Sequence, residues 1–286
     1  MAFETPAPDL NKLITAWDAW ERGVEAPGKV LSQLKTAGLP AVLAELRDSG
    51  WVPGSSGPPG CAVTADAPRA RGGRQPIPRP ASRRLGGPAP WASSPRLIGS
   101  DDVAAALRGR EPGRLVPPFP GARRSAVLVV VHDAPSGLEV LFTKRAQHLS
   151  NHRGEISFPG GRLEPSESPA EGALREAWEE VGLDPSLVDV LGELDHLSTV
   201  VSNSHIVPVV ATVSRRPELH PHPGEVDRIL WVGLDELAAA DTYREEWWGV
   251  DALERPIHFF ELADETIWGA TARMVHQLLR LVHGVD

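Results

Sequence analysis

Cysteine is almost absent from the sequence, and this excludes one way of stabilising a fold. The single cysteine, Cys61, has no partner with which to form a disulfide within the chain. Chains of this kind are typical of a reducing compartment, so we expect a cytoplasmic protein. A secreted scaffold held together by internal disulfides is excluded.

Long apolar runs and a secretory start are also lacking. From residue 96 onward the longest purely apolar run, Ala126 to Val131, is far shorter than the ~20 residues that a membrane helix needs. The first residues include Glu4 and Asp9 and lack a basic stretch followed by an apolar one, so no signal peptide is expected. The sequence therefore predicts no membrane association.

Positive charge is scarce in the chain as a whole. The 29 lysines and arginines are outnumbered by 38 acids, and the net charge of −9 argues against a nucleic-acid binder of the basic type. Residues 51–100 are the exception, because they hold one acid, Asp66, and no lysine. Their arginines are Arg69, Arg71, Arg74, Arg79, Arg83, Arg84 and Arg96. This basic stretch either contacts an anionic partner such as RNA or is a soluble tether.

Composition divides the chain into three regions. Residues 1–50 carry apolar residues at helical spacing and are predicted to form a small helical segment. That segment docks on the rest of the chain, on its copy in a homodimer or on another protein, and the sequence does not select among these partners. Residues 51–95, rich in proline, glycine and arginine, are predicted to be a flexible, disordered linker. Residues 96–286 are predicted to be the catalytic domain.

Strand and helix patterns alternate in the third region. The predicted strands are Arg124–Val131, Leu138–Thr143, Val188–Leu194, Ile206–Val213, Arg228–Val232 and Pro256–Leu262. Helices are predicted between Ser168 and Gly182, at about Leu234–Ala240 and at about Glu265–His283. Strands interleaved with helices predict an α/β domain with a mixed sheet.

The stretch from Gly161 to Leu183 reads as a loop followed by a helix. Ser168 is placed to cap this helix, with Pro169 at its first position and Glu171 at its third, which makes a capping box. Gly182 is placed to end the helix in the left-handed conformation. One apolar side is predicted to face the core, and its residues are Ala170, Leu174, Trp178 and Val181.

Three carboxylates share the other side of this helix. At the spacing of Glu176, Glu179 and Glu180, the side chains fall within roughly a 100° arc, where like charges destabilise a helix. Either the side is a solvated acidic surface, or a hard divalent cation such as Mg²⁺ binds the carboxylate oxygens. The turn at 158–161, Phe-Pro-Gly-Gly, favours the cation because it can bring backbone against a ligand.

The same stretch resembles the Nudix box, G-x5-E-x7-R-E-U-x-E-E-x-G-U, in which U is an aliphatic residue. The fixed positions are filled by Gly161, Glu167, Arg175, Glu176, Glu179, Glu180, Gly182 and Leu183. The small Ala177 at a U position is the one mild departure. The resemblance implies a Nudix hydrolase, with an α/β/α sandwich in which water attacks a diphosphate with the help of Mg²⁺ or Mn²⁺.

The charge pattern and the resemblance together give each residue of the site an expected role. The expected metal ligands are Glu176, Glu179, Glu180 and the carbonyl of Gly161, and Glu179 and Glu180 are also predicted to be catalytic. Glu167 and Arg175 are expected to form an ion pair that positions the loop, and Gly182 is expected to be structural. Glu225, in a Pro-Gly loop that can swing over the site, is the candidate general base, with an ordinary loop acid as the alternative.

A second motif lies upstream, from Leu141 to Gly161. It resembles the motif of coenzyme A diphosphatases, L-L-T-x-R-[SA]-x3-R-x3-G-x3-F-P-G-G, with two departures. Phe142 mildly replaces the second leucine, and Ser150 stands where the pattern has an arginine. Lys144 and Arg145 are predicted to bind substrate phosphates, with plain surface charges as the alternative. His152 is predicted either to donate a hydrogen bond to a phosphate or to order its loop.

Three function classes stay open. The first is a coenzyme A diphosphatase that releases 3′,5′-ADP and a phosphopantetheine, and the upstream motif favours it. The second is a Nudix hydrolase of another nucleoside diphosphate derivative, such as ADP-ribose, NADH or a dinucleotide. This second class stays open because of two departures from the subgroup. Ser150 replaces an arginine, and the chain has Ser202-Asn203-Ser204 where the subgroup has S-G-F. The third is a binding module without catalysis, and the complete glutamate set argues against it.

Overall fold

The structure is a computed structural model that describes residues 71–73, 75–94, 96–114, 123–149, 152–199, 204–249 and 255–285. The predicted helical segment at 1–50 lies outside the described residues. Within them, two sheets and four α-helices form the α/β architecture that the alternating pattern predicts, and this prediction of the fold class is confirmed.

The larger sheet has eight strands and follows the predicted pattern closely. Its strands are β2 (Arg123–Ala134), β3 (Gly137–Arg145), β4 (Ile156–Ser157), β5 (Gly160–Arg162), β6 (Val188–Glu193), β7 (Leu197–Thr199), β8 (Ser204–Val213) and β9 (Val226–Gly233). The sheet is mixed, because β2 and β8 run parallel while the other pairs run antiparallel.

Strand β2 reads as an unbroken apolar run because both of its faces are covered. Ala126, Leu128 and Val130 belong to the core cluster on one face, while Val129 and Val131 belong to the cluster on the other. The first cluster includes helix α2 (Pro169–Val181), and the second includes helices α1 (Ser100–Leu107) and α4 (Gly269–His283). The sheet is therefore sandwiched between helices.

Helix α2 has the predicted ends. The Ser168 hydroxyl accepts from the Glu171 N–H at 3.3 Å, and Gly182 is left-handed with φ 69°. The predicted core face is wrong at Trp178, which is 54% exposed, whereas Val181 is buried and Ala170 and Leu174 pack partly buried against the core. The face that meets the sheet is made by Ala173, Ala177 and Val181. Small alanines let the helix axis come close to the sheet, and this places the large indole on the outside.

A smaller sheet covers the far side of the second core cluster. Its strands are β1 (Arg84–Leu85), β10 (Tyr243–Trp248), β11 (Arg255–Glu261) and β12 (Thr266–Trp268), in the order β1-β10-β11-β12. Helix α3 (Leu234–Ala238) follows β9, and a single 3₁₀ turn (Pro185–Leu187) precedes β6. Within the described ranges, no helix is both long and apolar enough to cross a bilayer.

The described part of the predicted linker is folded against the domain, so a domain boundary at residue 96 does not fit the structure. Trp91 is 2% exposed and its indole N–H donates to the Ala238 carbonyl at 2.9 Å. Strand β1 pairs with β10, and Arg71 forms an ion pair with Glu236 at 2.9 Å. Proline favours extended backbone. In this segment the extended backbone pairs with β10 at the edge of the smaller sheet, and Trp91 anchors it to the domain.

Replacement of Trp91 by alanine should therefore destabilise the protein although the residue precedes the predicted domain. We expect a loss of about 3–5 kcal/mol, because the buried indole leaves a cavity. Urea unfolding measures this free energy. Leu97→Ala is the control, since Leu97 is 93% exposed and should change stability by no more than about 0.5 kcal/mol. Equal, small effects of both substitutions would restore the linker interpretation.

Candidate active site

The site is built around the buried carboxylate of Glu180, on the last turn of α2. Only 5% of Glu180 is exposed, and its Oε2 accepts from the Gly160 N–H at 3.1 Å. Burial raises the pKa of Glu180 to about 7, although the Gly160 hydrogen bond and the nearby Arg145 guanidinium oppose the rise. Repulsion from Glu176 and Glu225 adds to it. A negative charge at this position is therefore costly unless a cation compensates it.

Gly160 can donate to Glu180 because strand β5 lies against β2 with no room for a side chain. A Cβ at Gly160 would lie 2.4 Å from the Ala126 carbonyl oxygen and 2.5 Å from the Val127 Cα, and the φ of 152° is one that favours glycine. This close approach brings the Phe-Pro-Gly-Gly turn against the acidic side of α2.

Glu176 lies next to Gly161 on the same side. A Cβ at Gly161 would lie 2.5 Å from the Glu176 carboxylate carbon, so the glycine leaves the space that this carboxylate occupies. Burial raises the pKa of Glu176, Arg175 opposes the rise, and Glu179 and Glu225 add to it. Glu176 and Glu180 are thus two partly or fully buried acids that repel each other.

Arg175 ties the loop to the helix, as predicted. Its Nε donates to Glu167 Oε1 at 2.6 Å, and this hydrogen bond lowers the pKa of Glu167. The guanidinium also lies 3.0 Å from Glu176 Oε1 and 3.1 Å from Glu179 Oε2. One arginine therefore partly neutralises three acids of the box, while the buried Glu180 is approached by Arg145 instead.

Glu225 is brought to the same acids by a loop that is anchored. The His220 and His222 N–H groups donate to the Val181 and Glu180 carbonyls, at 2.9 and 2.8 Å, so the loop caps the C-terminal end of α2. Repulsion from the exposed Glu225 carboxylate contributes to the raised pKa values of both Glu176 and Glu180. The loop that was predicted to swing is thus held to the end of α2.

Arg145 and Lys144 contact different acids. Arg145 Nη1 lies 3.8 Å from Glu180 Oε1, so this guanidinium faces the carboxylate cluster. Lys144 Nζ instead donates to the buried Glu265 at 2.5 Å, and Arg228 donates to the same oxygen at 2.8 Å. Successive residues of a strand point to opposite faces, which explains the difference. Of the two predicted phosphate contacts, only Arg145 lies beside a glutamate of helix α2.

His152 and Ser204 have contacts other than the acids of α2. The His152 ring pairs with Glu155 Oε2 at 2.9 Å, and its φ of 54° places it in a tight turn, which agrees with the loop-ordering alternative. Ser150 lies outside the described residues. Ser204 begins β8 opposite Arg123, and its backbone carbonyl accepts a hydrogen bond from the Thr199 hydroxyl at 3.4 Å.

The donor set fits a hard divalent cation, although it does not form a closed cage. Among the described residues no three acidic, histidine or cysteine side chains are arranged to enclose a metal ion. Mg²⁺, however, usually keeps several waters and takes one or two carboxylates together with substrate phosphates. Glu176 and Glu180 supply such carboxylates at a place where burial and mutual repulsion call for positive charge.

Two contacts of this region escape sequence reasoning. Glu265 binds Lys144 across 121 positions of sequence, and its own segment carries no signal for such a role. The loop at 220–222 binds the end of α2 through backbone atoms, which no side-chain pattern reveals. The role of Gly160 was indicated in the sequence by the two consecutive glycines of the turn.

Comparison with known proteins agrees with this geometry. The family model of the NUDIX domain matches residues 122–250. An uncharacterised Nudix hydrolase, NudL, from Pectobacterium atrosepticum is 35% identical over 159 residues, which are 54% of this chain and 81% of that protein. An acidic helix on a mixed α/β sheet and a relative matched over most of its length define the class. The chain belongs to the Nudix hydrolase family.

Other similarities are partial. Nudix hydrolase 15, mitochondrial, from Arabidopsis thaliana is 35% identical over 191 residues, and the match spans 61% of this chain and 62% of the plant protein. The chain thus covers about three fifths of that relative's length. The crystal structure of RenU, a Nudix hydrolase from M. smegmatis, is 24% identical with a TM-score of 0.37 and covers 42% of this chain and 76% of its own.

Glu180→Gln should stabilise the metal-free protein at high pH. The pKa of Glu180 rises from 4.5 in the unfolded chain to about 7 in the fold, so between these values the folded state binds the extra proton and stability falls as pH rises. Glutamine has no such loss. We expect the variant to equal wild type near pH 4 and to be about 2–3 kcal/mol more stable at pH 8, measured by urea unfolding with EDTA present.

Glu179→Gln is the matched control for this measurement. It removes one charge from the same helix, but the Glu179 side chain is 55% exposed. We expect no pH-dependent gain of comparable size. If Glu180→Gln shows no larger gain at pH 8 than at pH 4, the carboxylate is not desolvated as described.

Proposed function

We propose that the chain hydrolyses a diphosphate linkage with the help of Mg²⁺ or Mn²⁺, and that its substrate is coenzyme A or an acyl-coenzyme A. The products are then 3′,5′-ADP and a 4′-phosphopantetheine. The observation that carries the hydrolytic part is the buried Glu180, which lies 3.8 Å from Arg145 and is repelled by Glu176 and Glu225. The positive charge of Arg145 and the negative charges of the carboxylates thus belong to one site.

Glu176 and Glu180 would hold the cation, with Glu179 and the Gly161 carbonyl as further ligands. When bound, the cation neutralises phosphate oxygens and lowers the pKa of the attacking water. Glu225 takes a proton from this water as the general base, its carboxylate being exposed on the turn whose backbone is bonded to the end of α2. The water oxygen forms a bond to phosphorus while the bond to the bridging oxygen breaks, and the second phosphate leaves.

Arg145 is the proposed phosphate contact of the chain. Its guanidinium is 28% exposed and only loosely paired with Glu180, at 3.8 Å, so its donors can reach a substrate oxygen in bidentate fashion. Lys144 remains a second proposed contact, but its ammonium is held by Glu265 on the other face. His152 remains a third, beside Glu155.

The alternative is hydrolysis of another nucleoside diphosphate derivative, such as ADP-ribose, NADH or a dinucleotide. It is favoured by Ser150, which replaces the arginine of the coenzyme A motif. Loss of that arginine removes a donor that a 3′-phosphate would use. The choice between the two therefore depends on how much the remaining cations of the loop, Arg145 and Arg153, replace it.

A substrate panel tests the proposal. Initial rates are measured for coenzyme A, 3′-dephospho-coenzyme A, ADP-ribose and NADH at matched Mg²⁺, with EDTA as the metal-free arm. We expect kcat/KM to be highest for coenzyme A and rates to vanish in EDTA. If ADP-ribose or NADH exceeds coenzyme A by about tenfold or more, the alternative replaces the proposal. Full activity in EDTA would contradict the metal-dependent mechanism.

Arg145→Ala should lower kcat/KM for coenzyme A by roughly 10- to 150-fold, the effect of one charge-assisted contact of about 1.5–3 kcal/mol. Lys144→Ala is the comparison, because Lys144 is the sequence neighbour of Arg145 but its ammonium is held by Glu265 on the other face of the strand. We expect it to lower kcat/KM by about threefold or less, once both variants are shown to be folded. A loss for Lys144→Ala as large as that for Arg145→Ala would mean that both cations reach the substrate.

A further inference from the structure

The turn that carries Glu225 is fixed by hydrogen bonds on every side of the residue. The Glu225 N–H donates to the His222 carbonyl at 3.0 Å, and the Val226 N–H donates to the same oxygen at 2.9 Å. The Glu225 carbonyl accepts from the Ala146 N–H at 2.8 Å, at the end of β3. The peptide groups around Glu225 therefore have partners on both sides of the turn.

One bond of this turn comes from a side chain. His148 Nε2 lies 3.2 Å from the Gly224 carbonyl oxygen, and because a carbonyl only accepts, Nε2 must carry the proton. Within the described residues, all other hydrogen bonds of the turn at 222–226 are made by backbone atoms. The contact fixes the peptide that joins Gly224 to Glu225, next to a residue whose backbone is otherwise permissive.

His148 belongs to the upstream motif loop, whereas Glu225 belongs to the loop that caps α2. The motif loop starts at Ala146, folds back through the Gly154 N–H to the Arg145 carbonyl at 3.0 Å, and leads to the Phe-Pro-Gly-Gly turn. It therefore links Arg145, the proposed phosphate contact, to the backbone of the proposed base. His148 itself is exposed.

We propose that His148 is a positioning residue for Glu225, and that it acts on the hydrolytic step rather than on substrate affinity. The inference rests on the proposed function, because it takes Glu225 as the general base. A carboxylate on a turn next to glycine samples many directions unless the preceding peptide is held. The imidazole N–H holds the carbonyl side of that peptide, while the Glu225 N–H is bonded to the His222 carbonyl, so the Glu225 side chain leaves the turn from a fixed backbone.

The test is a double-mutant cycle on the full chain, with the panel compound that the wild type hydrolyses fastest and saturating Mg²⁺. His148→Ala should lower kcat by about three- to tenfold, the effect of one hydrogen bond, and leave KM unchanged. His148→Gln should restore most of the rate, because an amide N–H can replace Nε2–H. In the Glu225→Gln background, His148→Ala should cause no further loss, because there is no base left to position.

His220→Ala is the matched control. Its side chain is 76% exposed, and its contact with α2 is made by the backbone N–H, which alanine keeps. We expect wild-type kcat and KM for this variant. Urea unfolding of each variant verifies that the fold is retained, as is expected for substitutions at exposed positions.

Several results would overturn the inference. A rate loss that persists in the Glu225→Gln background, or a change confined to KM, would mean that His148 touches the substrate. An unchanged kcat for His148→Ala would mean that the backbone bonds suffice. If Glu225→Gln alone keeps the full rate, the assignment of the base is wrong and this inference fails with it, while metal-dependent hydrolysis stands. If the wild type hydrolyses no panel compound, the proposed function itself is contradicted.

Discussion

The hydrogen bond from the Gly160 N–H to the buried Glu180 carboxylate is the interaction on which the site depends. It requires a glycine pressed against the backbone of β2, since any Cβ would overlap Ala126. It also requires that α2 lie close to the sheet, which the buried Ala173 and Ala177 allow. The turn, the strand and the helix are thus fixed relative to one another around one negative charge.

A buried charge of this kind is unfavourable for folding and useful for binding a cation. Arg145 compensates Glu180 only loosely, at 3.8 Å, whereas Arg175 contacts Glu167, Glu176 and Glu179. The unequal distribution of positive charge leaves the deepest carboxylate the least compensated. A metal-binding protein gains affinity from such an arrangement, because the cation relieves repulsion that the fold itself imposes.

Local patterns predicted much of the architecture. The cap at Ser168, the end at Gly182 and the apolar run of β2 depend on nearby residues, and all three are confirmed. The rotation of α2 was wrong, because periodicity allows neighbouring apolar stripes and the fit of Ala173 and Ala177 against the sheet decides between them. The linker prediction was wrong at Trp91 for a related reason. The composition of residues 51–95 is polar, but this one tryptophan packs in a core formed by residues far away in the sequence.

The contacts that bring the site together join segments far apart in sequence. Arg145 meets Glu180, and Lys144 meets Glu265, only because strands and loops return to one place. Strand alternation predicts that Lys144 and Arg145 point apart, yet their shared position in the upstream motif predicted one role for both. Backbone contacts such as those of His220 and His222 with α2 have no side-chain signature, so only a structure can show that Glu225 is held in place.

The most direct test of the central claim, that the buried carboxylate of α2 holds a catalytic cation, is the turnover number of Glu180→Gln at saturating Mg²⁺. Glutamine keeps the shape of the side chain and an oxygen for the Gly160 N–H, but it removes the charge. We expect a loss in kcat on the order of 10²-fold or more in a folded protein. Near-normal turnover of this variant would contradict it.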